Sequence, residues 1–478
     1  MRIVIAAIIL SIIGCSDTSP LDTSSKVVLV TKTSENQVVK HPEWSKDATI
    51  YKVNIRQHTA EGTFESFEAD MDRIATLGSE ILWIMPIQAI SIEKRKAKEN
   101  LFTEDIENPK EGNKCLGSYY SISNYTEANP DFGTIDDFKS IVNKAHLLGQ
   151  RVILDWVPNH TSIDNIWIKK GHKDWYTLDS LGHIPAPSLD RRDLAYLNYE
   201  NDSMRLAMIE AMKFWITDVN IDGFSCDDAM KVPLDFWEQA IIELKKVKTD
   251  IFMLADSELP EHHRKTFDMS YGCYAHDIFN HISTQEWPLD SLMAYMKWEE
   301  KKFSTNDYRM MFTSNHDENS WNGTLHDGMG ENHKPMAVIA FTYFGMPLIY
   351  GGQELGNDRG IKSFEKDTIQ KRHPELQNFY KTLITTKKEN PALWNGTYGG
   401  RFMRINTSND TDLLAIRRMR NDNEVITVIN LSSKKQQVNF VKDIEGNFVS
   451  VFNAETLGIY TSGTKELVAH GYQVFVKK

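Results

Sequence analysis

The run Arg151-Val152-Ile153-Leu154-Asp155-Trp156-Val157-Pro158-Asn159-His160 is a short apolar strand that ends in a carboxylate and stops at a proline. Val152 to Leu154 are β-favouring, and Pro158 cannot continue a hydrogen-bonded ladder. Upstream, Ile135–Leu148 carries apolar residues at helical spacing, and Gly149 stands where that helix should stop. The same alternation spreads in both directions. Strands are predicted at Thr49–Arg56, Ile81–Ile87, Arg151–Trp156, Gly223–Asp227, Ile251–Ala255, Asp268–Tyr271, Met310–Ser314 and Met346–Tyr350, with further helices at Phe64–Gly78 and Met204–Val219. Eight such units favour an α/β fold of the closed parallel type, a (β/α)8 or TIM barrel, over residues 41–396. The glycine-rich loop of a dinucleotide-binding sheet is missing. Residues 161–201, rich in Asp, Gly and Pro, read as a short rim excursion after the third strand. From residue 397 to 478 the pattern is purely β (Leu413–Arg418, Glu424–Asn430, Gln437–Phe440, Gln473–Val476), which predicts a C-terminal antiparallel β-sandwich.

Residues at the C-terminal ends of barrel strands face the active-site mouth. Four predicted strands end in or beside an aspartate: Asp155, Asp227, Asp256 and Asp317. One such residue could be a helix cap. Four together, with His160 and His316 close by in sequence, point to a carboxylate site.

These motifs resemble, in order, those of the α-amylase family of glycoside hydrolases. They are Asp155-Trp156-Val157-Pro158-Asn159-His160, Asp222-Gly223-Phe224 leading to Asp227, and Asn315-His316-Asp317. Gly117-Ser118-Tyr119-Tyr120 with Asn129-Pro130-Asp131-Phe132-Gly133-Thr134 is similar to the segment after strand two. Gly345 to Tyr350 and Gly352-Gln353-Glu354 are similar to strand eight. The resemblance implies retaining hydrolysis or transfer at an α-glycosidic bond of α-glucans or malto-oligosaccharides. It makes Asp227 the nucleophile, Asp256 the acid and Asp317 the third carboxylate. It also makes Asp155, His160 and His316 ligands of sugar hydroxyls and Tyr120 a stacking platform. No cofactor is required for that chemistry.

Two positions depart from the family. Ser225 replaces an arginine whose cation keeps the nucleophile ionised, and Asp256 replaces a glutamate one methylene longer. Like charges in a dry cleft raise one another's pKa, and Asp228 adds a further carboxylate. Lys231 is a candidate replacement cation and Glu258 a candidate replacement acid. The alternative reading is therefore a catalytically impaired sugar-binding lipoprotein. Tyr196 and Asn124 stand where relatives often carry aspartate, so a structural calcium at Asn159 is left open and without support.

The N-terminus reads as processing signal. Arg2, the apolar run Ile3–Ile13 and the pair Gly14-Cys15 make residues 1–15 a lipoprotein signal peptide with Cys15 as the acylated residue. Residues 16–40 are polar and read as a flexible tether. The expected location is the cell envelope of a bacterium, with the lipid anchor as sole membrane attachment. With 66 acidic against 54 basic residues the formal charge is −12, which argues against nucleic acid as partner. The partners expected are oligosaccharide or polysaccharide and, for an anchored protein of this type, glycan-uptake proteins.

Overall fold

The computed structural model describes residues 39–97, 101–442, 444–453, 455–457 and 465–478. The signal peptide, Cys15 and most of the tether lie outside the described residues. At the tether's end, Val39 is already buried, and its carbonyl accepts a hydrogen bond from Asn306 Nδ2 at 3.0 Å.

Eight parallel strands close a barrel in sequence order. They are β1 (Ile50–Val53), β2 (Ile81–Ile84), β3 (Arg151–Trp156), β4 (Gly223–Cys226), β5 (Phe252–Ala255), β6 (Met269–Tyr271), β7 (Tyr308–Phe312) and β8 (Met346–Tyr350). Closure is made by β1 against β8, with Ile50 opposite Leu348 and Lys52 opposite Tyr350. The two-residue alternation of strands sorts side chains into two layers. Ile50, Trp83, Ile153, Leu254, Met269, Met310 and Leu348 fill the barrel. Tyr51, Leu82, Leu154, Phe224, Met253, Met311 and Ile349 face the surrounding helices. Lys52 and Asp155 share the phase of Ile50 and Ile153 and so belong to the inner layer, and Ser225 lies beside Asp155 in the β3–β4 register.

Local signals explain the helices. Thr134 caps Ile135–Leu147 by a reciprocal pair of bonds with Asp137, and Phe138, Ile141, Val142 and Ala145 bury its inner face. Asn201 caps Asp202–Thr217 through the Met204 N–H. The single helix expected over Phe64–Gly78 is instead two, Phe64–Glu68 and Met71–Ala75. Asp70 sits at the break because its carboxylate is drawn to His58 and Arg73. The seventh strand starts two residues earlier than expected, at Tyr308, where His41 stacks on the Tyr308 ring.

The rim excursion contains an antiparallel pair, His160–Ser162 with Leu194–Tyr196. The C-terminal region forms a six-stranded antiparallel sheet and a two-stranded one (Gln436–Val438 with Lys465–Leu467). Both contribute to one core that includes Leu413, Ile426, Val438, Leu467 and Phe475. The strands at Arg401–Ile405 and Phe448–Ser450 escaped the sequence reading; the first is only partly buried along its length and carries Arg at both position 401 and position 404.

Gly223 answers a close approach. A methyl group there would sit 2.0 Å from the Phe252 carbonyl oxygen of the neighbouring strand. Gly223→Ala is expected to destabilise the fold by about 3 kcal/mol, read from urea unfolding; an unfolding midpoint equal to that of the natural protein would contradict this packing.

Candidate active site

Strand ends bring the carboxylates together. Asp155 is the fifth residue of β3, while Asp227 and Asp256 directly follow β4 and β5. The ladder continues past the strands: Asp227 N–H donates to Trp156 O at 2.8 Å, and Asp256 N–H donates to Cys226 O at 2.9 Å. Asp317 follows β7 and opens the helical turn Glu318–Asn322. Asp155 is buried; Asp227, Asp256 and Asp317 are partly open to the cleft. The chain thus gathers all four expected carboxylates at one mouth.

A ring of side chains ties this mouth together. Lys52 Nζ lies 2.9 Å from His316 Nδ1 and 3.8 Å from Asp155 Oδ2. His316 Nε2 is 2.5 Å from the Tyr120 hydroxyl, which in turn reaches Asp155 Oδ2 at 3.4 Å. An ammonium only donates, so His316 Nδ1 accepts, Nε2–H donates to Tyr120, and the phenol donates to Asp155. That order requires a neutral imidazole. Burial and the Lys52 charge do hold the His316 pKa well below its usual value. The Lys52 ammonium also sits 3.6 Å from the centre of the Trp83 ring.

The electrostatics are dominated by desolvation. Burial pushes Asp155 up to about 6, against the pull of Lys52 and of hydrogen bonding from Ser225 and Tyr120. The Ser225 hydroxyl favours the Asp155 anion by proximity without completing a well-aligned hydrogen bond. Asp317 is raised to about 7 by burial, opposed by Lys52. Asp256 is raised to about 8, by burial first and then by Asp228 and Asp317. Asp227 is pushed well above the carboxylate range by burial, Asp228, Asp256, Asp155 and Asp317. Burial lowers His160 to about 4, which keeps it neutral; the Tyr120 backbone is near, but neither ring nitrogen completes a well-aligned hydrogen bond with the protein.

Both replacement candidates fall away. Lys231 pairs with Asp228 at 2.9 Å, at a half-exposed position. Asp228 is itself held in a left-handed conformation at φ 47°. Glu258 is buried behind the site, with Oε2 3.0 Å from Arg309 and Oε1 accepting from the Tyr274 N–H at 3.2 Å. It belongs to a buried ion cluster with Arg309 and Glu299.

The cation that does reach the carboxylates is Lys52, which motif matching passed over. The signal was present. Lys52 is two residues from Ile50 in a strand, so its side chain had to point into the barrel.

Oxygens around Asn159 already have protein partners. Its carbonyl accepts from Leu197 N–H at 3.2 Å, Asn124 Oδ1 accepts from Thr126, and nearby Asp164 is occupied by Ser91, Ile92 and Ser162. Among the described residues no cluster of three or more His, Cys, Asp or Glu side chains could hold a metal ion.

Comparison with known proteins decides the family. The α-amylase catalytic domain matches residues 35–185 and 187–430. The chain belongs to the α-amylase family. It is 24% identical over 466 residues to α-amylase 2 of Dictyoglomus thermophilum, covering 89% of this chain and 75% of that protein. The fold of this α-amylase-family chain is similar to the crystal structure of a maltogenic α-amylase from Thermotoga neapolitana (TM-score 0.79, 24% identity, 91% of this chain and 99% of that one). It is also similar to an α-amylase from Lactobacillus plantarum (TM-score 0.77, 25% identity, 91% of this chain and 100% of that one).

A carboxyl with a raised folded pKa binds a proton that the unfolded chain has released. The folded state therefore loses stability as pH climbs from the unfolded carboxylate value of about 3.9 toward the folded one. For Asp256 this window runs up to about 8. Asp256→Asn is expected to leave the melting temperature unchanged near pH 4 and to stabilise the protein by about 2 kcal/mol near pH 8. A gain of equal size at both pH values would contradict the titration.

Proposed function

We propose that this protein hydrolyses α-glucans or malto-oligosaccharides by a retaining double displacement. The observation that carries the reading is the gathering of Asp155, Asp227, Asp256 and Asp317 at one barrel mouth, beside the unpartnered nitrogens of His160. A buried polar atom without a partner is costly, and a sugar hydroxyl is the kind of group that satisfies one. Asp227 attacks the anomeric carbon and forms a glycosyl ester. The bond to the leaving oxygen breaks, and that oxygen takes the proton of Asp256. Water then attacks the anomeric carbon and gives its proton to the Asp256 carboxylate; the bond to the Asp227 oxygen breaks, which restores the Asp227 carboxylate and releases sugar with its anomeric configuration retained. Asp317 steadies the positive charge that develops on the sugar ring. Tyr120, fixed by His316 and Asp155, offers its ring to the sugar face.

A proton on Asp256 up to a pH of about 8 suits an acid, and its shorter side chain asks the substrate to sit closer to β5. The competing reading is a silent barrel that binds oligosaccharide. The elevated Asp227 pKa favours it, because a protonated nucleophile does not attack.

Hydrolysis of maltohexaose by protein lacking residues 1–15 separates the two. The hydrolase reading expects turnover, an α-anomeric product by proton NMR, and loss on the order of 10³-fold or more in Asp227→Asn. Above a pH of about 8, kcat/KM should fall as Asp256 loses its proton. Binding without turnover, or a β-anomeric product, would overturn it.

The reading extends to location. Residues 1–15 support lipid attachment at Cys15, with the barrel displayed in the cell envelope next to glycan-uptake proteins. Among the described residues no helix is long and apolar enough to cross a membrane. Cys15→Ser is expected to move the full-length protein from the detergent phase to the aqueous phase in a phase-partition assay; continued detergent partitioning would contradict the anchor.

A further inference from the structure

Four aspartates share one poorly hydrated mouth, and charges of like sign in such a place suppress one another. Lys52 enters it from β1, on the opposite side of Asp155 from Ser225. Its side chain is fully buried. Desolvation alone would drive a buried amine toward its neutral form. Burial does hold the Lys52 pKa below the usual lysine value, and the ammonium is favoured against it by the Asp155 carboxylate at 3.8 Å, the acceptor nitrogen of His316 at 2.9 Å and the Trp83 ring face at 3.6 Å. The groups facing the amine come from every side of the mouth. They are Asp155 from β3, Asp227 after β4, Asp256 after β5, and His316 with Asp317 after β7.

The placement is uneven, and the unevenness has a chemical use. The amine lies directly against Asp155, and its partner His316 stands 3.5 Å from Asp317. At all three of Asp155, Asp317 and Asp256, Lys52 is the largest influence opposing protonation, and at the first two only burial outweighs it. At Asp256 its influence ranks below the repulsion from Asp228 and Asp317. Of these three Asp155 is lowest and Asp256 highest, while Asp227, raised by burial and by its four acidic neighbours, draws no comparable relief from Lys52.

We propose that Lys52 is the positioning residue that supplies the counter-charge of the mouth: its ammonium, fixed between Asp155 and His316, favours the anions of Asp155, which it lies against, and of Asp317, which stands against His316. This rests on the hydrolase reading for its catalytic consequence, but not for the charge assignment itself. The cation against Asp155 is supplied by the first barrel strand, while the fourth strand places the neutral Ser225 beside it.

The test uses Lys52→Gln, which keeps a donor for His316 but no charge, with Lys52→Met as a second neutral variant and Lys52→Arg as the charge-preserving one. In the first arm, melting temperature is followed from pH 5 to pH 8 for Lys52→Gln, Asp155→Asn and the double variant. Without the ammonium the folded carboxyls bind protons more tightly, so the Lys52→Gln deficit should grow with pH, by about 2 °C or more across this range. Asp155→Asn should recover much of it at pH 8 and little at pH 5. In the second arm, the acidic limb of kcat/KM on maltohexaose should move up by about one pH unit in Lys52→Gln and Lys52→Met, and stay in place in Lys52→Arg. A deficit independent of pH and not coupled to Asp155, or an acidic limb unmoved by charge removal, would overturn the proposal. If the natural protein hydrolyses no α-glucan, the hydrolase reading fails alone, and the melting arm still decides the role of Lys52.

Discussion

Closure of the barrel between β1 and β8 is the contact on which the rest depends. Pairing Ile50 to Lys52 with Leu348 to Tyr350 fixes which side chains of β1 turn inward. The same register sets Lys52 beside Trp83 and sends its amine across the mouth to Asp155 and His316. A slip of one residue would exchange Lys52 for Tyr51 at the centre and leave four carboxylates without that charge. Fold and site electrostatics are therefore one constraint in this protein.

The site carries Ser225 at the β4 position where the α-amylase pattern has a cation, and a cation from β1, Lys52, lies against the neighbouring carboxylate. Ser225 is small, neutral and buried beside Asp155, and the ammonium against Asp155 comes from the other side, from β1. The hydrogen-bonded ring of Lys52, His316, Tyr120 and Asp155 uses one charge for two purposes, since it orients the Tyr120 phenol as well as offsetting Asp155. Rings of this kind are sensitive to any one member, because each donor has a single geometry in which all partners are met.

Much of the barrel was legible from periodicity. All eight strands overlap the apolar runs that marked them, with the seventh shifted by two residues, since buried parallel strands are rich in consecutive apolar residues. The strand-end aspartates were legible for the same reason: their position follows from the strand boundaries. What escaped had a physical cause in each case. The break at Asp70 depends on His58 and Arg73, partners that composition does not announce. The reach of Lys231 and Glu258 depended on distance, and both proved to be engaged elsewhere. Lys52 was concealed by its type. A lysine in a strand reads as a solvated surface residue, and only its phase with Ile50 reveals otherwise.

The most direct test of the central account is to trap the glycosyl ester. Incubation with a 5-fluoro α-maltosyl fluoride, followed by proteolysis and mass spectrometry, locates the carboxylate that attacks the sugar. The account expects a single adduct on the peptide carrying Asp227, lost in Asp227→Asn. An adduct on Asp155, Asp256 or Asp317, or none at a ligand concentration that saturates binding, would contradict it.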